Sequence, residues 1–175
     1  VSRNITVVFT DIVGFTTLSE SLDAEKVATL LNEHFGDISA AVEEEEGTID
    51  KFIGDSVMAF WGAPQKQPDH ARRAARAVIV IAERVRARNV TREAAGLPPI
   101  HVRIGVHSGK AVVGNIGSPG RVNYTIVGDT VNIGARLEQL CKIVAPDADV
   151  VALISGTTAA ALDKSFSYTS AGDHT

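Results

Sequence analysis

TIDKFIGDSVMAFW, Thr48–Trp61, decides the fold. Thr48 to Phe52 and Ser56 to Trp61 are rich in β-branched and aromatic residues, and the Gly54-Asp55 dipeptide between them is of the kind that closes hairpins. What flanks this hairpin fixes its place in the chain. Upstream, Ile5 to Phe9 forms a short apolar strand, and Asp23 caps a helix whose Val27, Leu30, Leu31, Phe35, Ile38 and Val42 recur at helical spacing. The acidic run Glu43 to Glu46 meets the negative pole of that helix and ends it, as a solvated terminus. Downstream, Pro64 and Pro68 mark a loop. A second helix then runs from Asp69 through Ala71, Ala74, Ala75, Val78, Ala82 and Val85, with Arg72, Arg73, Arg76 and Arg84 on faces expected to be solvated. Pro98-Pro99 opens a strand, Ile100 to Val106, which is expected to turn at Ser108-Gly109 into Lys110 to Ile116.

The order is β, α, β, β, α, β, followed by additions. These are a strand near Tyr124 to Val127, a helix from Gly128-Asp129, and weaker strands at Val150 to Ile154 and Phe166 to Tyr168 around a short helical piece. Such an order fits an α+β sandwich of the ferredoxin-like βαββαβ kind, with an antiparallel-rich sheet, helices on one face and C-terminal additions. At 175 residues with 45% hydrophobic content, one domain over residues 1–175 is expected.

Charge narrows the partners. A net charge of -4 and a pI near 5.7 argue against a general binder of nucleic acid or of an anionic membrane, so an anionic ligand needs local cations. The single cysteine, Cys141, has no internal disulfide partner, and no apolar run is long enough to span a bilayer. A cytoplasmic domain without direct membrane contact is expected. The start at Val1 and the polar end SAGDHT suggest a piece of a larger regulated protein, with any membrane anchor lying in that parent.

Two groups of residues carry chemistry. Asp11 leaves the first strand and Asp55 sits in the hairpin turn. In a ferredoxin-like sheet the strands that carry them lie side by side, so their carboxylates, with the Ile12 carbonyl, make a site for hard cations such as Mg²⁺. Gly14, Phe15 and Thr16 then offer backbone N–H groups to a phosphate. A pair of turn-forming aspartates is the plainer reading of the same residues. In the second group, Asn132 and Arg136 are four apart on a helix and share a face distinct from Ile133, Leu137 and Leu140. An amide beside a guanidinium can hold a sugar and stabilise phosphoryl charge, although a surface arginine commonly does neither. Phe60 and Trp61 read as packing residues and Cys141 as a buried small hydrophobe.

FTDIVGFT, IDKFIGDSVMAFWGAP, RIGVHSGKAVVGNIG and YTIVGDTVNIGARLE, in that order and spacing, resemble the catalytic domain of class III nucleotide cyclases, the adenylyl and guanylyl cyclases. The resemblance spans about Ile5 to Leu140. It implies the nucleotide cyclase fold and two Mg²⁺ or Mn²⁺ ions per site, held by Asp11 and Asp55. It also implies a 3′-hydroxyl attack on the α-phosphorus, Arg136 as the transition-state arginine and Asn132 as the ribose-orienting amide. Lys110 falls where the family often has a phosphate-binding arginine. His107 beside it reads as a packing or turn residue.

Lys51 and Thr125 match the family's two purine-reading positions. Lysine only donates, which suits adenine N1 and opposes the guanine N1–H, so ATP is the expected substrate. The Thr125 hydroxyl can accept from the adenine amine or donate to guanine O6, and its discrimination is softer. Threonine at this position resembles a bacterial adenylyl cyclase subgroup, some of whose members respond to bicarbonate. In the family the metal residues come from one subunit and the base, ribose and transition-state residues from the other. A homodimer with two shared sites is therefore implied, since this chain carries both sets. The sequence after Tyr168 shows no match to a further phosphate-binding lysine, which points to reduced activity in this piece. A guanylyl cyclase and a catalytically silent nucleotide-binding module are the alternatives, whereas the GG[DE]EF signature of diguanylate cyclases is absent, GDSV standing in the hairpin.

Overall fold

The computed structural model describes residues 1–174. Its core is the strand β1, Ser2–Ile12, flanked on one side by β3, Ser56–Trp61, and on the other by β4, Val102–Ser118, both antiparallel to it. With β2, Thr48–Ile53, and β5, Arg121–Val127, the sheet order is β2-β3-β1-β4-β5, and β6, Val150–Ile154, runs parallel to the first part of β4. This is the ferredoxin-like arrangement expected from the element order. The Thr48–Trp61 hairpin closes at Gly54, whose φ of 59° is left-handed.

Helix α1, Phe15–Glu20, is an element that the sequence reading passes over; α2, Ala24–Glu44, begins at Asp23, whose carboxylate accepts the Lys26 N–H at 2.9 Å. Helix α3 spans His70–Ala94, α4 Asp129–Val144 and α5 Gly156–Ala160. Helices cover both faces of the sheet rather than one. Val8 and Ile12 of β1 pack with Leu30 and Ile38 of α2 and Ala74 and Ile81 of α3, while Ile5 and Val7 point to the other side, where a Cβ on Gly134 of α4 would stand 2.7 Å from Val7. Burial on both faces explains why Val7, Val8 and Phe9 follow one another in β1 without alternating with polar residues.

The expected turn at Ser108-Gly109 does not form. β4 continues through it, with Ser108 opposite Thr6 and Gly109 opposite Ile5. The glycine serves a close approach: a Cβ on Gly109 would lie 2.7 Å from the Thr130 hydroxyl at the start of α4, and one on Gly105 would lie 2.3 Å from the Glu138 backbone nitrogen. Phe166 to Tyr168 forms no strand either. Three residues supply few ladder bonds, and the segment instead lines a groove with Ala75, Val78 and Ile79 of α3 and Ile154 of β6. The acidic run ends α2, but its terminus is not simply solvated: Arg76 Nε pairs with Glu45 at 3.0 Å and Arg73 with Glu46 at 3.2 Å. Such exposed pairs contribute about 0–1 kcal/mol each. Phe60 and Trp61 are fully buried, and burial pushes the Cys141 thiol up to about 11.

His34 of α2 is buried beside Leu30 and Val85, and its Nε2 has no hydrogen-bond partner among the described residues. Burial depresses its pKa from 6.5 to about 4, against the attraction of Asp37. The folded state therefore binds fewer protons than the unfolded chain, and stability falls as pH drops below the unfolded value. Between about pH 7.5 and pH 5 this group alone should remove about 2 kcal/mol of unfolding free energy. Urea titrations of the wild type and of His34→Leu at both pH values check this, the variant being expected to show a smaller difference.

Candidate active site

The hairpin turn carries Asp55 to the end of β1. Asp55 Oδ2 accepts the Ile12 backbone N–H at 2.8 Å, so the two acids lie on either side of one peptide unit. Asp55 Oδ1 accepts no hydrogen bond among the described residues. Asp11 Oδ1 accepts from Arg103 Nε at 3.1 Å across the β1–β4 pair. Behind them lies Glu138 of α4, with Oε1 3.7 Å from Arg103 Nε and its side chain 7% exposed. Burial, and next the neighbouring Asp11 carboxylate, push Glu138 up to about 8. The donor set fits a hard divalent ion: two carboxylates side by side, with open positions for phosphate oxygens and water. Gly14 follows at φ 62°, a left-handed turn that starts α1, so the N–H groups of Phe15 and Thr16 stand in the first helical turn next to the acids.

The second group forms around an open cavity of about 450 Å³, lined by Lys51, Met58, Ile126, Gly128, Val131 and Asn132 among others. Lys51 is half exposed, and its Nζ lies 3.7 Å from Asp50 Oδ1. Thr125 is buried and donates its hydroxyl hydrogen to Asp50 Oδ2. That bond joins opposite edges of the sheet. β5 curls over so that Tyr124 and Ile126 pack with Met58 and Phe60 of β3, with Phe60 and Tyr124 ring centroids 6.4 Å apart. Arg136 stands one helical turn after Asn132, and both are exposed. Lys110 is exposed on β4 opposite Asn4, within neither group. His107 lies in a strand, not a turn, where its Nδ1 meets Ser155 Oγ at 2.7 Å and burial lowers its pKa.

The structure thus brings Asp11, Ile12 and Asp55 together, and separately Lys51 and Asn132 around the cavity, while Thr125 meets Asp50, the neighbour of Lys51. It also adds three residues that the sequence reading did not single out. Arg103 and Glu138 flank Asp11, and Asp50 holds Thr125. A half-buried arginine in a strand and a glutamate facing the sheet from α4 are visible only once the pairing of β1 with β4 is known. Asp50, in contrast, stands next to Lys51 in sequence.

Comparison with known proteins agrees with this geometry. The family described as adenylate and guanylate cyclase catalytic domain matches residues 1–175. Adenylate cyclase 1 of Rhizobium meliloti is 44% identical over 140 residues, covering 80% of this chain and 21% of that protein. The chain therefore spans about a fifth of that relative's length. The crystal structure of the adenylyl cyclase CyaB from P. aeruginosa superposes with a TM-score of 0.84 at 37% identity, covering 92% of this chain and 81% of that one. That of the guanylyl cyclase Cya2 superposes with a TM-score of 0.81 at 35% identity, covering 99% and 80%. With the whole chain matched and the two acids brought together at the end of β1, the chain belongs to the family of adenylate and guanylate cyclase catalytic domains.

Proposed function

We propose that this chain is an adenylyl cyclase catalytic domain that converts ATP to 3′,5′-cyclic AMP and pyrophosphate at two sites shared between two copies. The observation that supports the reading is the Asp55 to Ile12 hydrogen bond, which brings two carboxylates together at the end of β1. When bound, two Mg²⁺ or Mn²⁺ ions supply the polarisation that makes the ribose 3′-hydroxyl acidic and neutralises the triphosphate.

The roles of the protein groups follow from their chemistry. Asp11 and Asp55, with the Ile12 carbonyl, hold the cations, and the N–H groups of Gly14, Phe15 and Thr16 receive phosphate oxygens. Asn132 orients the ribose so that O3′ faces the α-phosphorus in line with the leaving pyrophosphate. The O3′–Pα bond forms, the bond from Pα to the bridging oxygen breaks, that oxygen leaving with pyrophosphate, and the 3′-hydroxyl proton passes to solvent. Arg136 stabilises the charge that grows on the α-phosphoryl oxygens, and Lys110 binds the polyphosphate as a point charge. Lys51 donates to adenine N1.

A shared site is supported by the direction in which α4 faces. At about 100° per residue, Gly134 and Glu138, which touch the sheet, point roughly 160° away from Asn132 and Arg136. The body of the helix stands between Arg136 and the acids of its own chain. Apolar residues of β2, β4 and β5 also lie open, among them Phe52, Ile53, Val112, Val122 and Val127 at 43–59% exposure, as a surface that a second copy would cover. Incubating the purified chain with ATP and Mn²⁺ tests the reading: cyclic AMP is the expected product, and its absence from a folded, metal-loaded dimer would contradict it.

A further inference from the structure

Asp50 is the residue at which β2 breaks its register. Thr48 stands opposite Phe60 and Ile49 opposite Ala59, but Lys51, not Asp50, stands opposite Met58. Asp50 is thus the extra residue of a β-bulge, a feature that re-aims side chains and strengthens the local twist. In a regular strand, consecutive side chains point to opposite faces. Here the bulge sends both Asp50 and Lys51 to the side of the sheet on which β5 and α4 lie: Lys51 lines the cavity with Asn132, and Asp50 reaches Thr125 of β5. The Asp50 side chain is 2% exposed. A carboxylate so placed needs partners, and the closest is the Thr125 hydroxyl. Lys51, half exposed and 3.7 Å away, is a weak counter-ion by comparison.

We propose that Asp50 is a specificity-determining positioning residue, which commits the Thr125 hydroxyl to act as a hydrogen-bond acceptor toward the purine. The inference rests on the purine-reading role given above to Lys51 and Thr125. A threonine hydroxyl has one hydrogen and two lone pairs, whereas a carboxylate only accepts. With its single hydrogen directed to Asp50, Thr125 has only lone pairs to offer. An exocyclic amine, such as the adenine N6 group, can donate to them. A carbonyl oxygen, such as guanine O6, meets them acceptor to acceptor. Asp50 thereby turns an ambivalent hydroxyl into a reader of the amine and reinforces Lys51, which excludes the guanine N1–H from its side. The bulge supplies the geometry, because without the extra residue Asp50 and Lys51 could not share a face.

The test is the ratio of kcat/KM for ATP to that for GTP, measured on one preparation so that the folded fraction cancels. The variants are Asp50→Asn, Asp50→Ala, Thr125→Val and the double variant Asp50→Asn/Thr125→Val. Asp50→Asn keeps the shape but can donate as well as accept, which frees the Thr125 hydrogen. It should lower the ratio about tenfold, the scale of one hydrogen bond's discrimination. Asp50→Ala should shift it in the same direction. In the Thr125→Val background the Asp50→Asn change should leave the ratio unaltered, since Asp50 acts through the hydroxyl. A ratio within about twofold of wild type in both Asp50 variants overturns the proposal. So does an Asp50→Asn effect that persists undiminished in the Thr125→Val background, because Asp50 would then act through Lys51. If Thr125→Val itself leaves the ratio unchanged, the purine-reading role of Thr125 fails, and this proposal falls with it. That outcome is distinct from one in which Thr125→Val shifts the ratio and the Asp50 variants do not.

Discussion

Asp55→Ala and Arg136→Ala chains, each inactive alone, should regain activity when mixed. Asp55→Ala removes a carboxylate proposed to hold the cations, and Arg136→Ala removes the charge proposed to stabilise the α-phosphoryl group. Each should lower kcat by at least about a hundredfold, the scale of losing one preorganised electrostatic group. In a two-fold dimer with shared sites, a mixed pair has one site that carries both lesions and one that carries none. With random exchange half the dimers are mixed, so recovery should approach about a quarter of wild-type turnover. Mixed dimers that form, as shown by two differently tagged chains co-purifying, but have no activity would contradict sharing. The outward direction of Asn132 and Arg136 on α4 makes this the expected result, because no rotation of an arginine side chain within one chain carries it through the helix to Asp11.

Lys51→Glu should reverse the choice of base. Lys51 lines the cavity and donates only, so it matches the adenine N1 lone pair and opposes the guanine N1–H. Glutamate accepts only. It leaves adenine N1 facing a carboxylate and gives the guanine N1–H a charged acceptor. Sites built around a particular hydrogen bond discriminate strongly, so kcat/KM for ATP should fall about a hundredfold or more, while that for GTP rises. Steady-state turnover on both nucleotides checks this. A variant that keeps its ATP preference would remove Lys51 from the base site. Asp50 also enters here: the new glutamate would stand next to a buried carboxylate, a repulsion that Asp50→Asn should relieve.

Apart from α1 and the Phe166 to Tyr168 segment, the order of elements was legible because each carries a local signal. Asp23 caps α2, the apolar stripe continues to Val42, and Gly54-Asp55 closes the hairpin, all through interactions within a few residues. The misread elements are those in which a local signal has a distant cause. Ser108-Gly109 looks like a turn, yet the glycine makes room for Thr130 of α4, a contact across more than twenty positions of sequence. Helices on both faces were missed for the same reason. Nothing within α4 says which side of the sheet it takes until Gly105 and Gly134 are seen to meet it and Val7.

Of the site, Asp11, Ile12 and Asp55 were placed together by topology alone, since neighbouring strands and a hairpin turn suffice to predict it. Lys51 and Thr125 could be paired only by resemblance: they sit on opposite edges of the sheet, and their approach depends on the curl of β5 over Met58 and Phe60. Arg103 and Glu138 were invisible for want of the β1–β4 register that sets Arg103 opposite Asp11. Asp50 was hidden by the bulge. In an unbroken strand it would face away from its neighbour Lys51, and nothing in IDKFIGD marks the extra residue.

The central claim is that Asp11 and Asp55 of one copy and Lys51, Asn132 and Arg136 of another enclose a single nucleotide. A crystal structure of the chain with Mn²⁺ and a non-cyclisable ATP analogue, with the ions located by anomalous scattering, tests it most directly. The account predicts Mn²⁺ between the Asp11 and Asp55 carboxylates of one copy, with the adenine of that nucleotide against Lys51 of the other. Manganese away from that acid pair, or a nucleotide contacted by one copy alone, would contradict it.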